Sequence, residues 1–208
     1  MNILVLDTSS DKLLLALLKD NEIITAQKQD GKYMEVLLPM IDELLQRAKV
    51  RLKEIDVIGV VVGPGSFTGV RIGVSTVKGF IHVFRDIKIV AINSLELIAY
   101  TTMAKLNRTD MTVVIPSTAN KLYVGRFKSG NKPRYSLEDT EGFNEFNAVI
   151  EQHYNLDINA ERVEVSEKDL IDFCCALFKD GRFGEFKPYY LALSQAEEEL
   201  LKKEGSNA

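Results

Sequence analysis

Gly63-Pro64-Gly65-Ser66-Phe67-Thr68-Gly69-Val70-Arg71-Ile72-Gly73 is the stretch on which the fold turns. It follows the apolar run Ile55–Val62, which predicts a central parallel strand, and it opens the run Phe67–Phe84, which predicts a helix. Gly63 and Gly65 admit backbone angles that other residues resist. Pro64 fixes one angle between them, and Ser66 is placed to cap the helix. Such a junction can cradle an anion on unpaired N–H groups, with Asp7, Thr8 and Ser9 at the end of a first strand as companions. It can equally be a tight turn into a packed helix, and Asp7-Thr8-Ser9 an Asx-turn. The loop is neither a Walker A motif nor a G-x-G-x-x-G fingerprint, so both readings stand.

The helix behind the loop adds information. Gly69 and Gly73 are four residues apart and share one face. Each glycine inside a helix costs roughly 1 kcal/mol relative to alanine, so a pair needs a compensating close approach. That approach is either to this chain's own sheet or to a helix of a partner. Tyr33–Lys49 predicts a second helix, with Met34, Leu37, Leu38, Ile41, Leu44, Leu45 and Ala48 in one stripe and Tyr33, Val36 and Met40 beside it. Two apolar faces must cover two surfaces: the helix's own sheet and a further one. Tyr33, Met34, Leu37, Ile41, Gly69, Val70, Gly73 and Val77 are therefore the candidate partner interface.

Outward from these helices the pattern is α/β. Strands are expected at 2–6, 12–19 and 22–28, the last two joined by a hairpin at Asp20-Asn21. Ile87–Ile92 predicts another strand, and Asn93 or Ser94 caps a helix through about Lys105. The first half thus runs β-β-β-α-β-α-β-α. Strands at Met111–Ile115, Leu122–Phe127 and Arg134–Leu137, then a short helix at Phe143–His153, begin the same order again at an offset of about 110 residues. This predicts a duplication into lobes 1–106 and 107–208. Ser166–Phe178 predicts a helix whose Ser166 and Asp169 form a capping box. A terminal helix is expected at Ser194–Lys203, with a frayed tail at 204–208.

Composition limits the function classes. With 208 residues the chain can bury one large core or two small ones. A net charge of −4 argues against an autonomous nucleic-acid binder, since phosphate binding needs a basic field. A basic run, Lys121, Arg126, Lys128, Lys132 and Arg134, lies on the second lobe's hairpin among aromatic residues. Lys121, Arg126 and Lys128 are the candidate RNA contacts, and a solvated edge strand is the alternative. Cys174 and Cys175 are adjacent and expected reduced inside a helix. His82 and His153 have no neighbour at ligand spacing, so no metal site is expected. No secretory n-region and no ~20-residue apolar span is present, and a cytoplasmic location is expected.

The chain resembles the TsaB (YeaZ) family. The residues that carry the likeness are Ile3-Leu-Val-Leu-Asp-Thr-Ser9, Glu35 with Leu38-Pro39, Gly63–Gly73, Asn93-Ser-Leu-Glu96, Tyr123, and Pro188 with Tyr190-Leu191. The resemblance implies a duplicated RNase H-like, actin-like ATPase (ASKHA) fold, two lobes each with a mixed sheet flanked by helices. It implies a non-catalytic dimerisation or scaffold subunit that binds and activates TsaD, with TsaE, for threonylcarbamoyl transfer to adenosine 37 of tRNA. The implied dimer surface is the helix pair 33–49 and 67–84, self-pairing into a homodimer when TsaD is absent. It implies no cofactor of its own, with ATP or ADP only at a shared interface, and tRNA contact only through the complex. TsaD-like proteins carry His-x-x-x-His on the first helix, where this chain has Tyr33-Met34-Glu35-Val36-Leu37. The Asp-x-Gly motif expected at the second lobe is Ile115-Pro-Ser-Thr-Ala119 here. Departures from TsaB are Pro116-Ser117-Thr118 for Asp-Ala-Arg, and Ala192 for an arginine. The rival functions are a nucleotide phosphohydrolase or glycoprotease-like (M22) enzyme using Asp7, and a stand-alone homodimeric binding module.

Overall fold

The computed structural model describes residues 1–29, 33–117, 120–154, 156–184 and 186–189. Strands β1 (Ile3–Asp7), β2 (Lys12–Lys19) and β3 (Glu22–Gln29) form an antiparallel meander. Asp20 and Asn21 turn β2 into β3 with φ of 49° and 67°, the left-handed pair that a two-residue hairpin requires. β1 is buried along its whole length, because β2 flanks it on one side and β4 (Val57–Gly63) pairs with it in parallel on the other. β5 (Lys88–Asn93) extends the sheet in parallel beyond β4, giving the order β3-β2-β1-β4-β5.

The crossovers β3–β4 and β4–β5 are made by α1 (Tyr33–Ala48) and α2 (Phe67–Val83). Both pack on one face of the sheet, in a cluster with Leu4, Leu6, Leu15, Leu17, Ile58 and Val60. The buried side of α1 is Tyr33, Leu37, Ile41, Leu44, Leu45 and Ala48. Fully burying each Leu or Ile of that set contributes roughly 1.5–3 kcal/mol. The stripe expected around Met34 is thus rotated: Met34 and Leu38 lie outside it. α3 (Ser94–Leu106) follows β5, capped by Asn93 Oδ1, which accepts from the N–H groups of Leu95 and Glu96.

The second half repeats the sheet. β6 (Met111–Pro116), β7 (Lys121–Phe127), β8 (Arg134–Asp139), β9 (Ala148–Glu151) and β10 (Glu161–Val163) take the order β10-β9-β6-β7-β8. Position for position this is the first sheet again, with β9 parallel to β6 as β4 is to β1. The duplicated two-lobe α/β architecture is therefore present. The helix expected at Phe143–His153 is not. Ala148-Val149-Ile150 is a strand, because Val149 joins the central core while Ile150 joins a cluster on the opposite face, the period of two that a helix cannot supply. The recurring unit is five strands and a final helix. In the second lobe the described residues of the two crossover segments, 140–147 and 152–160, form turns.

α4 (Glu167–Lys179) carries the expected box: Ser166 Oγ accepts from Asp169 N, and the Asp169 carboxylate accepts from Ser166 N. The final helices lie between the sheets: α4 packs on β1, β2 and β5 of the first sheet, while α3 packs on β4 and β5 of the first and on β6 and β7 of the second. At Gly59 an added Cβ would stand 2.6 Å from Cys174 Sγ, so the missing side chain is what admits α4. Cys174 is buried and both cysteines are free thiols. The boundary expected at 106/107 falls in the loop begun by Asn107 in the left-handed region. The sheets lie on either side of it and share one core through α3 and α4. No helix among the described residues is long and apolar enough to cross a membrane. The terminal helix and tail expected at 194–208 lie outside the described residues.

Candidate functional site

The glycine loop and the Asp7 turn are packed against each other. Asp7 Oδ1 accepts the Ser9 N–H at 2.7 Å, an Asx-turn. Ser9 O accepts the Ser66 N–H at 2.6 Å. Ser66 Oγ caps α2 by accepting from Gly69 N. Thr8 Oγ1 donates to Gly69 O at 2.7 Å. Both φ values at the loop, +104° at Gly63 and +159° at Gly65, lie in the range that favours glycine. A Cβ on Gly65 would overlap Ser9 O, and one on Gly69 would overlap Thr8 O. From the other side Tyr189 N donates to Val62 O at 2.7 Å, bringing segment 186–189 over the loop.

The N–H groups of Ser9, Ser66 and Gly69 are spent inside the protein, and the carbonyl oxygens of Thr8 and Ser9 face Gly69 and Gly65. Asp7, Thr8, Ser9, Gly63 and Gly65 are brought together as a closed turn. Among the described residues no three His, Cys, Asp or Glu side chains converge as a metal-ligand set.

Asp7 is nonetheless electrostatically unusual. Burial raises its pKa to about 6, against the lowering effect of the Ser9 hydrogen bonds. Across the lobe junction stands His153, 3.1 Å from Glu151 Oε1 and 3.4 Å from Asp11 Oδ1. Those contacts are close enough for charge pairing but not aligned as hydrogen bonds. Burial opposes the imidazolium, yet Glu151, Asp11 and Asp7 outweigh it and raise the His153 pKa. Neither its spacing nor its neighbours in sequence singled out His153; only the fold joins it to Asp7.

The expected interface residues divide sharply. Tyr33, Leu37, Ile41, Gly69, Val70, Gly73 and Val77 are buried within this chain. Tyr33 donates its hydroxyl proton to Ser10 O at 2.6 Å. A Cβ on Gly73 would stand 2.5 Å from Thr8 Oγ1. The small face of α2 is thus matched to the chain's own β1 turn, the first of the two close approaches its glycines allow. Of the eight only Met34 is exposed, at 78%. Beside it is Leu38, 55% exposed, at the mouth of a cavity of about 420 Å³ lined by Leu38, Ile41, Leu45, Val50, Leu52 and Phe80. Leu38 and this groove were missed, although Leu38 stands next to Pro39 at the edge of the apolar stripe. Gly79, on the exposed side of α2, has open space where its Cβ would be.

The basic hairpin is partly neutralised. Arg126 pairs with Glu138 at 2.6 Å and Glu145 at 2.9 Å, and Lys121 with Asp139 at 2.7 Å. The Glu138 hydrogen bond heads the causes that raise the Arg126 pKa. Lys128 is exposed beyond them. Arg126 and Lys121 are therefore engaged within the lobe's own sheet. Cross-lobe order comes instead from Glu96, which accepts from Tyr135 Oη at 2.8 Å and from Arg182 at 2.9 Å.

Comparison with known proteins follows this geometry. A family model described as "TsaD: tRNA N6-adenosine threonylcarbamoyltransferase" matches residues 23–179. The "tRNA threonylcarbamoyladenosine biosynthesis protein TsaB" of Buchnera aphidicola subsp. Schizaphis graminum is 28% identical over 148 residues, 71% of this chain and 70% of that one. The protein of the same name from Escherichia coli K12 is 22% identical, covering 98% of this chain and all (100%) of that one. A solved structure from Pseudomonas aeruginosa, described as an uncharacterized protein with similarity to peptidase YEAZ, superposes with a TM-score of 0.75 at 21% identity. It covers 92% of this chain and 99% of that one.

Proposed function

From the premise that this chain belongs to the TsaD family, in its TsaB (YeaZ) branch, we propose that it is a partner-binding subunit in the biosynthesis of tRNA threonylcarbamoyladenosine. In this reading α1 and α2 present the docking face to TsaD, and the catalytic site belongs to TsaD. The observation that carries it is the exposed apolar edge of α1: Met34 and Leu38 lie in solvent beside an apolar groove that reaches Phe80 of α2. Exposed apolar side chains grouped on adjoining helices mark an interaction surface rather than random exposure. In the absence of TsaD, two copies pair through the same face, and TsaE joins the assembled complex. ATP or ADP binds only where the subunits meet, a reading supported by the inward use of the glycine-loop donors. The rival phosphohydrolase or peptidase loses support on the same ground, since Asp7 is buried and its turn is closed by the loop it would need.

The test is co-purification of full-length chain with TsaD. Leu38→Glu combined with Met34→Glu is expected to abolish the complex while leaving the circular dichroism spectrum and Tm unchanged, because both side chains are already in solvent. Gly79→Arg, which adds bulk to the exposed side of α2 without a clash, is expected to weaken it. Retention of the complex by both variants would put the interface elsewhere.

A further inference from the structure

A second concave surface lies at the far end of α2 from the glycine loop. It is a cavity of about 720 Å³ between the last turns of α2, the start of β5 and the residues Phe183, Gly184 and Phe186. Lys78, His82, Arg85 and Lys88 line it, with Asp86 the acidic residue among the described lining. Lys78, Arg85 and Lys88 are exposed and form no ion pair among the described residues. In a chain of net charge −4, that is a local excess of uncommitted positive charge. The opposite wall is aromatic. Phe183 is 43% exposed, and Lys88 Nζ stands 4.7 Å from its ring centroid. Gly184 N donates to Ile89 O at 2.9 Å, which fixes this wall to β5.

We propose that this groove binds a single-stranded segment of RNA. Uncommitted ammonium and guanidinium groups supply backbone-tracking charge, and an exposed ring supplies a face on which a base can stack. Lys88, held over Phe183 by a cation–π contact, turns to a phosphate when a base takes its place; such an exposed contact is worth only about 0.5–1 kcal/mol. Free phosphate and a polyglutamate chain would both leave the ring unused. On the basic hairpin Arg126 and Lys121 are already paired, and Lys128, Lys132 and Arg134 are its remaining exposed charges. The inference stands on the groove and does not require the α1–α2 docking face.

Fluorescence anisotropy of a labelled, unstructured oligoribonucleotide with the full chain at low salt tests it. Arg85→Ala combined with Lys88→Ala is expected to weaken binding at least about tenfold and to reduce the slope of log K against log salt by about 1.4, at ~0.7 per lost phosphate contact. Phe183→Ala is expected to weaken it at least about fivefold with the slope unchanged, the signature of lost stacking. Lys121→Ala combined with Lys128→Ala is expected to bind as the parent does. Absence of RNA binding by the parent chain would overturn the proposal, as would unaltered binding by the groove variants. Equal binding of polyglutamate, insensitive to Phe183→Ala, would overturn it in favour of an acidic protein partner. Failure of the parent chain to co-purify with TsaD, with its RNA binding intact, would count against the docking face alone.

Discussion

The two lobes have the same five-strand sheet in the same order, yet among the described residues only the first has crossover helices. In the first lobe α1 and α2 cover the outer face of the sheet with a large cluster. In the second, the residues on the corresponding face form a small cluster, Val114, Leu122, Val124 and Ile150, covered by turn residues such as Phe143, Leu156 and Ile158. The strands and the two helices between the sheets, α3 and α4, form the shared core. The crossover helices are what the first lobe has in addition, and their outer side bears the exposed Met34 and Leu38. The difference separates what the fold requires from what is free to serve a partner.

The comparison breaks most readily at the glycines. Gly69→Val in the first lobe is expected to cost more than about 4 kcal/mol, because its Cβ meets the backbone oxygen of Thr8, which cannot move aside. Gly125→Ala in the second lobe is expected to cost only about 1–2 kcal/mol, since its Cβ would stand 2.9 Å from the tip of the Phe127 ring. Urea denaturation of both variants checks the contrast. Similar losses would mean that the β1 turn is no more rigidly matched to α2 than the second sheet is to α3.

Next in size is the pH response of Asp7. An unfolded aspartate titrates at the ordinary 3.8 and the buried one at about 6, so the native state holds this proton more tightly. The resulting stability is fully present below pH 3.8 and lost as the pH rises through 6. Asp7→Asn keeps an acceptor for Ser9 N and removes the charge. It is expected to gain up to about 3 kcal/mol relative to the parent at pH 7.5 and almost nothing at pH 3.5. Denaturation midpoints at the two pH values measure it, and equal differences at both would place the cost elsewhere than in ionisation.

Much of this organisation is visible in the sequence, for local reasons. Asn93, Ser66 and the pair Ser166 and Asp169 mark helix starts because a cap is satisfied within three residues, and the Asp20-Asn21 hairpin needs only its own turn. β9 escaped because three apolar residues carry too little periodicity to separate strand from helix; its partner β6 is more than thirty residues away. The glycine face of α2 had two physical readings, and only the position of Thr8 decides between them. Met34 is the one interface candidate that the fold leaves exposed, while the groove formed by Leu52 and Phe80 depends on elements distant in the chain. Pairing of Arg126 with Glu138 and Glu145 likewise required the fold, since neither acid lies inside the basic run.

Smaller effects sharpen the same contrast. Arg126→Ala is expected to cost about 1–2 kcal/mol, as a partly exposed network joining two carboxylates exceeds an isolated surface pair. Its loss should shrink at high salt and leave TsaD co-purification unchanged; a disrupted complex would bring the second sheet into the interface. Gly79→Ala is expected to stabilise by about 0.5–1 kcal/mol, since the helix gains propensity and the new Cβ meets nothing. A lower Tm would show that this part of α2 is packed within the free chain.

Hydrogen–deuterium exchange of the full chain, with and without TsaD, tests the docking face most directly. Protection on binding is predicted in α1 and α2, strongest around Leu38 and Gly79, with β6 to β9 unchanged. Protection confined to residues 111–163, with both helices exchanging as in the free chain, would contradict the account.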